Sequence, residues 1–191
     1  EKDSLFISVS QSGETADTLA AMEEARRKNI TQITLCNYLN TQASQIANQT
    51  LQIRAGLEVG VAATKTFTCS LVTLYTLAIY FGVQRQHISH KQAAILTEEL
   101  SRLPEMIGGI LVDQSQYEEL ASKYHASSDF LFLGRGYNYP VALEGALKLK
   151  EVSYIHAEGY PAGEMKHGPI SLIDDNMPVV ALIPKDSLYE K

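Results

Sequence analysis

Leu5-Phe6-Ile7-Ser8-Val9-Ser10-Gln11-Ser12-Gly13-Glu14-Thr15 is the stretch on which the fold turns. Leu5–Val9 reads as a buried strand, the hydroxyl- and amide-rich residues after it as a turn, and Ala16 to Lys28 as a helix. The free N–H groups of that helix's first turn and the positive end of its dipole point at whatever the turn holds, which favours an anion. Ser10, Ser12 and Thr15 add hydroxyls, Gln11 an amide, and Gly13 lets the backbone come close. The loop has no lysine and no G-x-x-x-x-G-K-S/T spacing, so it does not match a nucleotide triphosphate loop. One compact phosphate monoester fits it. An ordinary helix N-cap is the competing reading, since Ser and Thr are common capping residues; on this segment alone both stand.

Outward from that stretch, short apolar runs recur at Gln32–Cys36, Leu51–Arg54, Phe130–Leu133 and Val179–Ile183. Helical patterns lie between them at Ala43–Asn48, Thr64–Phe81, His90–Leu103, Pro104–Val112, Tyr117–Tyr124 and Pro140–Tyr154. Strands that are continuously apolar and alternate with helices predict an α/β fold with parallel sheets flanked by helices. A helical region from Thr64 to Lys123, with Gly82 and Pro104 as break points, separates two β-containing parts. The expected organisation is a first domain over 1–85, a helical connector over 86–115 and a second domain over 116–191. Leu5–Glu14 can be laid over Val179–Leu188 as a weak internal repeat in which only the first copy carries the hydroxyl cluster.

The 191 residues are 45% hydrophobic and 20% charged, an ordinary globular composition with length for a real core. A net charge of -6 argues against nucleic acid and anionic membranes as partners, so an anionic ligand needs a local site. Cys69 to Val83, broken by Ser70, Thr73 and Thr76, reads as a core helix rather than a membrane span. Cys36 and Cys69 show no metal or disulfide spacing and read as buried thiols of a reducing, cytoplasmic compartment. The chain opens Glu1-Lys2-Asp3 and enters a strand at once, with no leader pattern; it ends just after another strand, and is expected to be a piece of a longer protein.

A second constellation lies in the helix that begins near Pro140, where a missing N–H costs nothing. At 100° per residue Glu144, Lys148 and Glu151 fall within about 60° of one another on one face. A surface ion-pair ladder, at ~0.2–0.5 kcal/mol per pair, is the plain reading. Flanking Leu143, Leu147, Val152 and Ile155 suggest partial burial instead, and Gly134-Arg135-Gly136 places the start of the helix at the C-terminal edge of a sheet, where open α/β folds bind ligands. The run from Tyr154 to Pro169 follows without clear period and reads as a functional loop. His167 in it suits proton transfer near neutral pH, whereas His156 reads as a cation at a helix C-terminus; neither has zinc-ligand spacing.

These residues resemble a known family. Ser10–Thr18, Gly60-Val61-Ala62-Ala63-Thr64-Lys65, Leu143–Glu151 and Glu164-Met165-Lys166-His167-Gly168-Pro169 together, across essentially the whole chain, are similar to the sugar-isomerase (SIS) half of the glutamine–fructose-6-phosphate aminotransferases, or glucosamine-6-phosphate synthases. The resemblance implies two related, partial SIS domains of flavodoxin-like topology. It implies that Ser10, Gln11, Ser12 and Thr15 hold the sugar phosphate, and that Val61 and Thr64 meet the sugar. Glu151 becomes the base of a 1,2 proton shift, assisted by Lys148 and supported by Glu144, and His167 opens the sugar ring across the interface of a homodimer. A carboxylate over adjacent carbons suits that reaction, and an adjacent ammonium keeps it ionised.

The resemblance implies no cofactor and no metal. Ala63 stands where family members often carry serine. The glutaminase domain of the full-length family members, their opening isomerase strand and the tail lysine that forms a Schiff base have no counterpart here, so the chain is expected to bind a phosphosugar but to be catalytically incomplete. Two alternatives remain at this stage: a phosphosugar-binding regulatory domain, and a plain aldose–ketose isomerase.

Overall fold

The computed structural model describes residues 4–187 and 189. They fall into two compact units, Glu1–Gly108 and Gly109–Lys191. The division lies inside the span read from sequence as the connector.

Unit 1 contains β1 (Leu5–Val9), α1 (Ala16–Arg27), β2 (Thr31–Cys36), α2 (Gln42–Ile46), β3 (Gln49–Gln52), α3 (Lys65–Gln84) and α4 (His90–Ser101); α5 (Leu103–Val112) crosses the division. Its strands form a parallel sheet in the order β1-β2-β3, with Ile7 opposite Ile33 and Leu35 opposite Leu51. Short βα connections with parallel strands bring the ends of all three strands to one edge. The core is the interface of β2 with α1 and α2, filled by Met22, Ala25, Leu35, Cys36 and Ala43. Most polar groups in it are paired, Gln32 Oε1 being buried without a hydrogen-bond partner. The Ser8 hydroxyl bonds Thr34 Oγ1 at 2.9 Å, and Gln32 Nε2 donates to the Met22 carbonyl at 3.0 Å.

Three sequence readings change in unit 1. β1 is not a buried strand, because Leu5, Ile7 and Val9 are exposed and only Ser8 is buried. α3 is not a core helix: Thr66 is its one buried residue, and by length and composition it is apolar enough to cross a membrane. Beyond Thr66, its Ser and Thr hydroxyls spend their protons on carbonyls one turn back, as from Ser70 to Thr66 and Thr73 to Cys69, which lets so apolar a sequence carry them. The α3 helix packs against α4 and β2. Cys69, which it carries, is half-buried rather than buried.

Unit 2 contains α6 (Ser115–Tyr124), β4 (Asp129–Gly134), α7 (Asn138–Ser153), β5 (His156–Pro161), two 3-10 turns at Ala162–His167 and Pro169–Leu172, and β6 (Val179–Ala181). The sheet is parallel, in the order β5-β4-β6. The sequence of β5, with no clear period, predicts a loop instead. The strand forms because α7 lies close on the sheet: Ala142 and Ala146 are buried beneath it, and a Cβ on Gly159 would stand 3.0 Å from the Leu143 backbone. His156 is therefore in a strand and not at a helix end; its Nδ1 lies 2.9 Å from Asp129 Oδ1, directly across the ladder. β6 stops at Ala181, and Leu188, the last residue of the proposed repeat, lies outside the described residues.

Leu35 is fully buried (0% exposed) between α1 and α2 on the central strand. Leu35→Ala is expected to lose about 2–5 kcal/mol of stability, read as a lower midpoint in urea unfolding. A shift under about 1 kcal/mol would show that the β2 face repacks freely.

Candidate active site

In unit 1 the site is built on the strand ends. The loop after β1 is held by its own hydroxyls: Ser10 Oγ accepts the Gly13 N–H at 3.0 Å and lies 3.3 Å from Thr15 Oγ1, and Ser12 Oγ accepts the Glu14 N–H at 3.1 Å. Thr15 is the N-cap of α1 but makes no side-chain cap bond, so its hydroxyl does not satisfy the first-turn N–H groups. That favours the ligand loop over the plain N-cap. Gly13 is required twice, by a φ of 71° and because a Cβ there would stand 2.3 Å from Thr41 Oγ1. Glu14 ties the loop to α2, accepting from the Gln42 N–H at 2.9 Å and from Gln42 Nε2 at 2.7 Å. Gln11 is exposed and Ser12 half-buried.

The segment after β3 carries Val61 and Thr64. Val61 is 99% exposed and its side chain packs on nothing. Thr64 precedes α3 with no cap bond of its own. Its place is taken by Glu58, whose carboxylate accepts from the N–H of Thr64 (3.2 Å) and Thr66 (2.9 Å) and from their hydroxyls (3.3 and 2.9 Å). Lys65 Nζ donates to the Leu57 carbonyl at 2.6 Å, closing the same loop. The backbone N–H of Thr66 above all, against some desolvation, lowers the Glu58 carboxyl from 4.5 to about 2.

In unit 2, Lys148 Nζ lies 3.4 Å from Glu144 Oε1 and bonds Glu151 Oε2 as well. The Glu144, Lys148 and Glu151 side chains are 23%, 24% and 31% exposed, against 62% and 33% for the Arg26–Glu23 pair on α1. Of the apolar flanks that the sequence offered, Leu143, Leu147 and Val152 are exposed and Ile155 is half-buried. Burial pushes the Lys148 ammonium down, but the hydrogen bond it donates to Glu151 and the charge of Glu144 outweigh it, and the pKa is raised.

The start of α7 lies at the C-terminal edge of the sheet, and Glu151 does not. From Asn138 to Glu151 the helix rises about 20 Å, so Glu151 lies toward the end that leads into β5. His167 ends the 3-10 turn that follows the far end of β5, and is exposed. Among the described residues no hydrogen bond or ion pair joins His167 to Glu144, Lys148 or Glu151. Sequence reasoning missed Glu58 and Glu14. Glu58 stands too far from Thr64 for a capping-box spacing, and only an acidic residue before an uncapped helix start could have marked it.

The chain belongs to the SIS-domain family, whose model matches residues 1–80 and 123–191. Within that class it is 50% identical over 188 residues to the glutamine–fructose-6-phosphate aminotransferase (isomerizing) of Gloeobacter violaceus, covering 98% of this chain and 31% of that protein. The corresponding protein of Aquifex aeolicus is 48% identical over the whole chain, again 31% of its own length. The chain thus spans about a third of these relatives. Among solved structures, the C-terminal domain of glucosamine-fructose-6-phosphate aminotransferase from Francisella tularensis superposes with a TM-score of 0.95 at 42% identity, over 97% of this chain and 53% of that one. The two parallel sheets flanked by helices are the SIS fold that the resemblance implied.

A carboxylate whose folded pKa is depressed contributes stability above its unfolded value and loses it as pH falls toward the folded one. For Glu58 that window runs from pH 4.5 down to about 2. Glu58→Gln is expected to be less stable than the parent at neutral pH, with the difference shrinking through this window, in thermal melts against pH. A difference that does not change with pH would mean that the carboxylate charge plays no part in the cap.

Proposed function

We propose that this chain is the isomerase part of an enzyme that makes glucosamine 6-phosphate from fructose 6-phosphate and glutamine-derived ammonia. In unit 1 the Ser10–Thr15 loop takes the phosphate through Ser10, Gln11, Ser12 and Thr15 and the N-terminus of α1. The segment after β3 offers the Val61 backbone and Thr64 to the sugar. Ammonia condenses with the C2 carbonyl of the open sugar, with loss of water, to give the C2 imine. In unit 2, Glu151 then removes a proton from C1; the electron pair forms the C1–C2 double bond while the C2=N π pair takes a proton at nitrogen. When the proton is returned at C2, the C1 hydroxyl gives up its proton and C1 becomes the aldehyde. Lys148, held as an ammonium between the two carboxylates, serves the oxygens, and Glu144 holds it from the other side.

The Lys148-bridged carboxylates carry this reading, since a protein that only senses a phosphosugar has no use for a shielded acid–base strip. His167, beyond the opposite end of β5 from the end at which Glu151 lies, suits ring opening in a neighbouring copy, which makes a homodimer part of the proposal. A glutaminase domain on the same full-length protein and a cytoplasmic location belong to it as well; light scattering and the complete reading frame check the dimer and the domain.

Ser12→Asp places a carboxylate where the phosphate is to sit, and is expected to abolish fructose 6-phosphate binding in calorimetry. Unchanged affinity would move the phosphate elsewhere. In the full-length protein Glu151→Gln is expected to keep sugar binding while turnover falls ~10²–10⁴-fold. Turnover surviving within a few fold would leave Glu151 a structural ion-pair residue.

A further inference from the structure

Asn37 follows directly on β2, between the two ligand loops of unit 1, and is only 3% exposed. Its backbone holds one loop and its side chain the other. The Asn37 N–H donates to the Gln11 carbonyl at 3.0 Å, inside the Ser10–Thr15 loop. Its side-chain Nδ2 donates to the Gly56 carbonyl at 2.6 Å, and its Oδ1 accepts the Ala55 N–H at 2.9 Å. Gln52 Nε2 closes the ring by donating to the Asn37 carbonyl at 3.0 Å. One side chain therefore pairs a donor and an acceptor with a C=O and an N–H on adjacent residues, as a strand neighbour would. Arg54 and Gly56, with φ of 54° and 70°, are the bends that this pairing holds in place.

Only an amide of this length meets both groups. Aspartate keeps the acceptor for Ala55 but sets a carboxylate against the Gly56 carbonyl. Serine and alanine reach neither and leave two buried backbone groups unpaired. None of these changes touches the backbone bond to Gln11, so the side chain governs the Val61–Thr64 segment separately from the phosphate loop.

We propose that Asn37 is a positioning residue that fixes the sugar-contacting segment 55–64 in register with the phosphate loop, so that its side chain sets the preference for a phosphosugar over bare phosphate. This rests on the phosphosugar reading of unit 1. The test uses the full-length protein and calorimetric titration with inorganic phosphate and with fructose 6-phosphate, on the parent and on Asn37→Asp and Asn37→Ser. The expected result is phosphate affinity within about twofold of the parent and fructose 6-phosphate affinity lower by about tenfold or more, the scale of one lost hydrogen bond. Equal losses for both ligands would mean a general structural role and overturn the proposal. So would no loss for either, or failure of both variants to fold by circular dichroism. A parent protein that shows no preference for fructose 6-phosphate over phosphate would instead remove the phosphosugar reading on which the proposal stands.

Discussion

Parallel pairing of β1, β2 and β3 is the constraint on which everything in unit 1 depends. Because each strand runs the same way, the chain leaves the sheet three times at one edge, and the exits are Ser10–Thr15, Asn37, and 54–64. Each strand end continues its ladder for one more bond, from the Ser10 N–H to Leu35 and from the Ile53 N–H to Cys36, so the loops start from fixed backbone. Loops alone are costly to order. Here the sheet orders their roots, and Glu14, Asn37 and Glu58 order the rest through hydrogen bonds to backbone.

Unit 2 solves a different problem, that of keeping charged groups half out of water. Exposed ion pairs contribute little, and the Arg26–Glu23 pair on α1 is of that kind. Lys148 is held from both sides along α7, and each carboxylate loses part of its hydration to the same ammonium. The small residues on the opposite face of α7 make this possible. Ala142 and Ala146 bring the helix axis close to the sheet, so the strip on the other face takes no part in packing the core.

Much of this was legible in the sequence, element by element. The strand, hydroxyl turn and helix at Leu5–Arg27 follow from a change in hydrophobic period within a few residues. The Glu144–Lys148–Glu151 face follows from helical spacing alone. β5 was not legible: Ala157-Glu158-Gly159-Tyr160-Pro161 lacks a strand's apolar run, and it pairs only because α7 returns the chain beside β4. The exposure of β1 and α3 was also hidden, since an apolar run states that burial would be favourable and not what covers it. Glu58 and Asn37 escaped for a related reason. Their partners are backbone groups, which carry no signature in a residue's neighbours, and the Asn37 contacts are eighteen and nineteen positions away in the chain.

The Glu58 cap has a consequence for how such a protein can change over generations. By gripping Thr64 and Thr66 from six and eight residues upstream, it closes a small ring whose interior, residues 59–63, is excused from holding α3 in place. Val59 and Val61 are almost wholly exposed, so no core sets their size. Ala63 sits inside the same ring. Variation can accumulate in this window and be sorted by ligand alone, while the scaffold on either side stays unaltered.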